Sequence, residues 1–64
     1  MSPMLKKIYT YMLKYQDEHG QLPSCGVAAR KFKMTRQNMS LYYAQLIKQG
    51  KIKKNEEVSH FLLV

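Results

Sequence analysis

Helix punctuation constrains this chain more than any other feature. Ser2-Pro3 opens a first helix, with Ser as a good N-cap and Pro suited to the first helical position. Leu5, Ile8, Met12 and Tyr15 then recur at helical spacing with Tyr9 beside them, and Lys6, Lys7, Lys14 and Gln16 fill the other face. Gly20 is the expected stop, so the first helix spans Pro3 to His19. Pro23 bars continuation, and Leu22 is expected to plug the core from the link. Ser24 caps a second, short helix of about Cys25 to Phe32. Val27, Ala28 and Phe32 are its expected inward stripe, with Arg30, Lys31 and Lys33 outward. Gly26 in its first turn weakens it. After Lys33-Met34, Thr35 caps a third helix of about Arg36 to Gln49, closed by Gly50. Met39, Tyr43, Leu46 and Ile47 form its expected inner stripe, and Tyr42 sits at the flank.

Past Gly50 the period changes. Lys51-Ile52-Lys53-Lys54 alternates like a half-buried strand. Asn55-Glu56-Glu57 is turn-prone, and the apolar run to Val64 suits a returning strand, giving a hairpin of Lys51–Lys54 with His60–Leu63. The reading is one domain over residues 1–64, small α+β and mostly helical: three helices and a C-terminal β-hairpin. At 64 residues only a thin core is available, which does not suit an enzyme with a deep pocket. No cofactor is expected. A single Cys, Cys25, excludes a disulfide framework and a Cys-based zinc site. His19 and His60 stand in no metal-ligand spacing with it, so no metal is expected either. No apolar run reaches the ~20 residues of a membrane span, and the N-terminus has no long apolar signal region.

Charge then narrows the partner. Eleven Lys and Arg face four Asp and Glu, for a formal net charge of +7. The acids come as two pairs, Asp17-Glu18 and Glu56-Glu57, with none between His19 and Asn55. That acid-free stretch holds Arg30, Lys31, Lys33, Arg36, Lys48, Lys51, Lys53 and Lys54. Such segregation is the signature of a surface built for a polyanion. Apolar residues make up 45% of the chain, so the charge does not signal disorder.

Helices two and three with their short connection form a helix-turn-helix candidate, and a hairpin directly after makes it winged. The residues from Ser2 to Lys54 resemble the N-terminal DNA-binding domain of the SOS repressor LexA. The likeness lies in the long first helix, in HGQLPS at 19–24, in VAARKFKMT at 27–35 and in RQNMSLYYAQLIKQGKIKK at 36–54. The last string is also similar to the recognition helix and wing entry of MarR- and GntR-like regulators. The resemblance implies a winged helix-turn-helix fold with the third helix in the DNA major groove. It also implies base-facing residues at Gln37, Ser40 and Leu41. The protease domain that follows in LexA has no counterpart within these residues, so SOS regulation is not implied. The outward residues of the third helix differ, so no operator sequence carries over. A small regulator of phage or plasmid type, in the bacterial cytoplasm and nucleoid-associated when bound, is the context this implies.

The chemistry of the third helix fits that role. Outward residues at its start are Arg36, Gln37, Asn38, Ser40 and Leu41, the candidate base contacts. Arg can donate twice to guanine, Asn and Gln can pair with adenine, and Leu41 can pack on a thymine methyl. Candidate backbone contacts are Ser24, Arg30, Lys31, Lys33, Thr35, Tyr42, Lys51, Lys53 and Lys54. The Glu56-Glu57 tip argues for phosphate contact at the base of the hairpin rather than at its tip. In the terminal strand Phe61 and Leu63 face one way, Leu62 and Val64 the other. One face exceeds what a small fold can bury, which makes these four residues the candidate interface of a homodimer.

The expected function is sequence-specific binding of double-stranded DNA by a transcriptional regulator, a small repressor. No small-molecule ligand and no membrane partner are expected. Two other functions fit the same residues: a protein-interaction module such as an antirepressor or host-factor binder, and a DNA-bending recombination accessory factor.

Overall fold

The computed structural model describes residues 2–55 and 60–64. Three helices, α1 (Pro3–His19), α2 (Cys25–Lys31) and α3 (Arg36–Lys48), precede an antiparallel hairpin of β1 (Ile52–Asn55) and β2 (His60–Leu63). The order read from the sequence is the order observed. The proposed turn residues Glu56 and Glu57 lie outside the described residues.

Each helix begins where a hydroxyl can hold its free amides. Ser2, Ser24 and Thr35 all have extended backbone and accept from the amides of Leu5, Val27 and Asn38 at 3.1, 3.3 and 3.1 Å. Each such cap is worth about 1 kcal/mol. α1 stops at Gly20, in the left-handed conformation with φ 76°. α2 and α3 stop one residue earlier than expected, with Phe32 and Gln49 as their C-caps.

The core is a single cluster. Leu5, Ile8 and Met12 of α1, Ala28 and Ala29 of α2, Met39, Tyr43 and Leu46 of α3, Leu22 of the link and Ile52 of β1 are all buried. Leu22 does plug the core, at 2% exposed. Truncating one of the large members, such as Leu46→Ala, costs about 2–5 kcal/mol.

Two expected core residues are not there. Val27 is 41% exposed. The inward positions of α2 are Cys25, Ala28, Ala29 and Phe32, the steps of three and four that keep one face of a two-turn helix against α3. Val27 falls off that stripe, and the two alanines let α2 approach closely. Ile47 is 39% exposed. It sits about 80° around the helix from Met39, while Leu46 already fills the space below.

The hairpin is locked on α3. Ile52 pairs with Leu63 and Lys54 with Phe61, so these four share the inward face. Lys53 pairs with Leu62 on the outward face. The Phe61 ring meets Tyr43 edge-on at 4.8 Å and 79°. The Val64 amide adds a further bond to the Lys51 carbonyl at 3.2 Å.

Candidate nucleic-acid interface

α3 has two faces. Met39, Tyr43 and Leu46 are buried, which turns Gln37, Leu41, Ala44 and Lys48 outward at steps of four, three and four. All four are exposed, and Leu41 stands out at 64%. Arg36 and Ser40 flank the stripe on the side of α2, and Asn38 and Gln45 lie on its other side; all four are exposed. Ala44 and Lys48 prolong the stripe beyond the residues singled out from the sequence. Their signal was the same helical spacing, carried two further turns.

One hydroxyl fastens α3 to the link before α2. Tyr43 donates to the buried Pro23 carbonyl at 2.6 Å, with the Ser24 carbonyl at 3.4 Å. Burial pushes its phenol far above the ordinary tyrosine range, so the hydroxyl remains a donor. This bond ties the middle of α3 to the residues just before α2.

At that junction Cys25, Arg36, Gln37 and Ser40 line a shallow concavity. The Arg36 side chain passes over Gly26, its Nε 3.6 Å from where a β-carbon would sit. Burial pushes the Cys25 thiol up, while the cations Arg36 and Lys54 pull it back. Arg36 of α3 lies at this corner, and the charge of Lys54 on the hairpin is felt there. Cys25 belongs to this corner through its inward position on α2, a placement its spacing to Ala28, Ala29 and Phe32 encodes.

The remaining candidates divide between this face and others. Ser24 and Thr35 mark the capped starts of α2 and α3 and are exposed. Arg30 and Lys33 are exposed, and Lys33 takes the left-handed backbone conformation, φ 56°, in the turn between the two helices. Tyr42 is half-buried against the core. Lys53 is exposed on the outward side of the hairpin. Lys31 and Lys51 instead stand over tyrosines of α1: Lys31 Nζ lies 6.0 Å from the Tyr11 ring centre and Lys51 Nζ 5.9 Å from that of Tyr9. Of the terminal four, Phe61 and Leu63 pack on this chain's own core, which leaves Leu62 half-exposed and Val64 78% exposed.

Among the described residues, no group of three or more His, Cys, Asp or Glu could hold a metal ion, and no helix is long and apolar enough to cross a membrane. His19 stacks on Tyr15 at 4.2 Å between ring centres. In comparisons with known proteins, no family model matches the chain and no curated protein is significantly similar to it.

Proposed function

We propose that this chain is a sequence-specific double-stranded DNA-binding transcriptional regulator, a winged helix-turn-helix that lays the start of α3 in the major groove. The observation that carries the reading is the outward face of α3. It presents Arg36, Gln37, Ser40 and Leu41 from a capped helix start, just after the exposed cation Lys33, in a stretch without a single acid. A helix fits the major groove, and these side chains can pair with guanine and adenine and pack on a thymine methyl. Lys33, Lys53, Lys54 and the helix starts at Ser24 and Thr35 then supply phosphate contacts. Arg30 and Tyr42 lie at the margins of that footprint. Leu62 and Val64 are the surface a second copy would cover when a palindromic operator is bound.

The test is an anisotropy titration of the full chain with the duplex upstream of its own gene and with a scrambled duplex, at several salt concentrations. A preference of about 10³-fold or more for the native duplex, with affinity falling as salt rises, is the expected result. Equal, weak and steeply salt-dependent binding to both would sink it. The 64% exposure of Leu41 favours a second reading, a protein-interaction module that uses the same face of α3. Under that reading neither duplex binds, and Leu41→Asp abolishes capture of the protein partner.

A further inference from the structure

A second charged surface lies on α1 and is not used by the α3 face. Lys7, Tyr11, Lys14 and Glu18 recur at steps of four, three and four and share one stripe of the helix. Tyr15 stands beside them, its ring edge-on to that of Tyr11 at 5.9 Å. Lys31 reaches across from α2 over the Tyr11 ring. These residues line a groove between α1 and α2. It shares no lining residue with the concavity at the start of α3.

The charges of the groove are unbalanced. Lys7, Lys14 and Lys31 are exposed, and Glu18 Oε2 lies 4.0 Å from His19 Nε2 rather than on a lysine. Glu18 stands four residues after Lys14, within reach along the helix, yet does not pair with it. Three cations therefore bracket two half-buried rings, and Glu18 at one end is the one carboxylate in the lining. The Tyr11 phenol is held above its ordinary range by burial first, then by Tyr15 and Glu18, so its hydroxyl stays a donor for an incoming anion.

We propose that this groove docks a short acidic segment of a partner protein, with its carboxylates on Lys7, Lys14 and Lys31 and an apolar side chain against Tyr11 and Tyr15. Charge decides between the anionic occupants. A nucleic-acid strand carries a phosphate at every step and would drive one past Glu18. A peptide can place an apolar residue there instead, and that residue excludes water from the flanking ion pairs. The rings give it a surface of the matching kind. Because the groove is separate from the α3 face, its occupant does not displace what α3 holds.

The experiment is an amide-shift NMR titration of the full chain with a synthetic peptide alternating Asp and Phe. Saturable shifts at residues 7–15 and at Lys31 are expected. The double variant Lys7→Glu, Lys14→Glu, both at exposed positions, should weaken binding by about tenfold or more while leaving the amide spectrum of the core unchanged. Three results would overturn the proposal. An Asp-only peptide binding equally well would reduce it to unspecific charge. An oligothymidylate binding the groove more tightly would assign it to a nucleic-acid strand. Peptide shifts confined to α3 or the hairpin would empty the groove altogether.

Discussion

The turn after α2 and the turn after α3 close with the same pair of hydrogen bonds and different residues. After α2, the Met34 amide donates to the Ala29 carbonyl at 2.9 Å and the Lys33 amide to that of Arg30 at 3.3 Å. After α3, the Lys51 amide donates to Leu46 at 2.9 Å and the Gly50 amide to Ile47 at 3.0 Å. Both are Schellman turns, and both need one left-handed residue. Gly50 meets that need with φ 75°, without a β-carbon to strain. Lys33 meets it with φ 56°, at about 1–2 kcal/mol of left-handed strain. Folding alone favours glycine at both places. The lysine sits in the turn that leads into α3, beside the face proposed to meet DNA, where a cation has a use that glycine lacks.

α2 and α3 are also tied by the Tyr43 hydroxyl bond, which runs from the middle of α3 to the link before α2 and has no equivalent between α3 and the hairpin among the described residues. Tyr43→Phe keeps the ring and leaves the buried Pro23 carbonyl without its donor. The expected loss is about 1–3 kcal/mol, the largest effect of this set, read as a lower urea midpoint at unchanged slope. The phenol also gives a pH signature. Its pKa in the folded state is raised above the ordinary 10.0. Its contribution to stability is therefore fully present below pH 10 and is lost as pH rises past that value, where the unfolded chain releases the proton first. Tyr43→Phe should flatten this alkaline decline; an unchanged decline would remove Tyr43 as its source.

Gly50→Lys makes the second turn a copy of the first. A cost of about 1 kcal/mol is expected, with unchanged far-ultraviolet dichroism. No loss would mean that the left-handed position is free for lysine in this fold, and the contrast between the turns would lose its meaning.

These turns also show where sequence and structure part. Gly20, Gly50, Ser2, Ser24 and Thr35 are legible because capping is local chemistry: a hydroxyl or a missing β-carbon acts within four residues. The inward faces of α1 and, Ile47 aside, of α3 are legible because several turns repeat them. α2 spans two turns, so beside the correctly read Ala28 and Phe32 the sequence favours Val27 over Ala29 on apolarity alone, and closeness of packing, which favours the small residue, has no one-dimensional signal. Lys33 gives no hint of a positive φ. Lys31 and Lys51 read as part of one basic stretch, but the angle between α1 and the later elements sets them over Tyr11 and Tyr9. Of the candidate interface, the outward stripe of α3 is visible as a period. The meeting of Arg36 with Cys25 and Gly26 depends on how α3 packs on α2 and is not.

Lys33→Gly reverses the other half of the comparison. Relief of the strain, less the extra freedom given to the unfolded chain, should raise stability by about 0.5–1 kcal/mol. If the lysine meets a phosphate, affinity should fall alike for native and scrambled duplexes, and the slope of log affinity against log salt should shrink by about one. A gain in stability with unchanged DNA affinity would leave the strained lysine without that role.

Lys33→Asn separates charge from strain and has the smallest effect on folding. Asparagine tolerates the left-handed region better than most residues, because its short side chain bonds locally to the backbone. Stability should therefore move by only a few tenths of a kcal/mol, upward, since the substitution relieves part of the strain that glycine relieves fully. The DNA readout should nevertheless match that of Lys33→Gly, since both remove the same ammonium. Salt-dependent anisotropy on the two variants decides the point. Equal losses attribute the effect to the cation. If Lys33→Asn binds like the unmodified chain while Lys33→Gly binds less, what matters at this turn is backbone stiffness, which holds α2 and α3 at a fixed angle, and the lysine's charge is incidental.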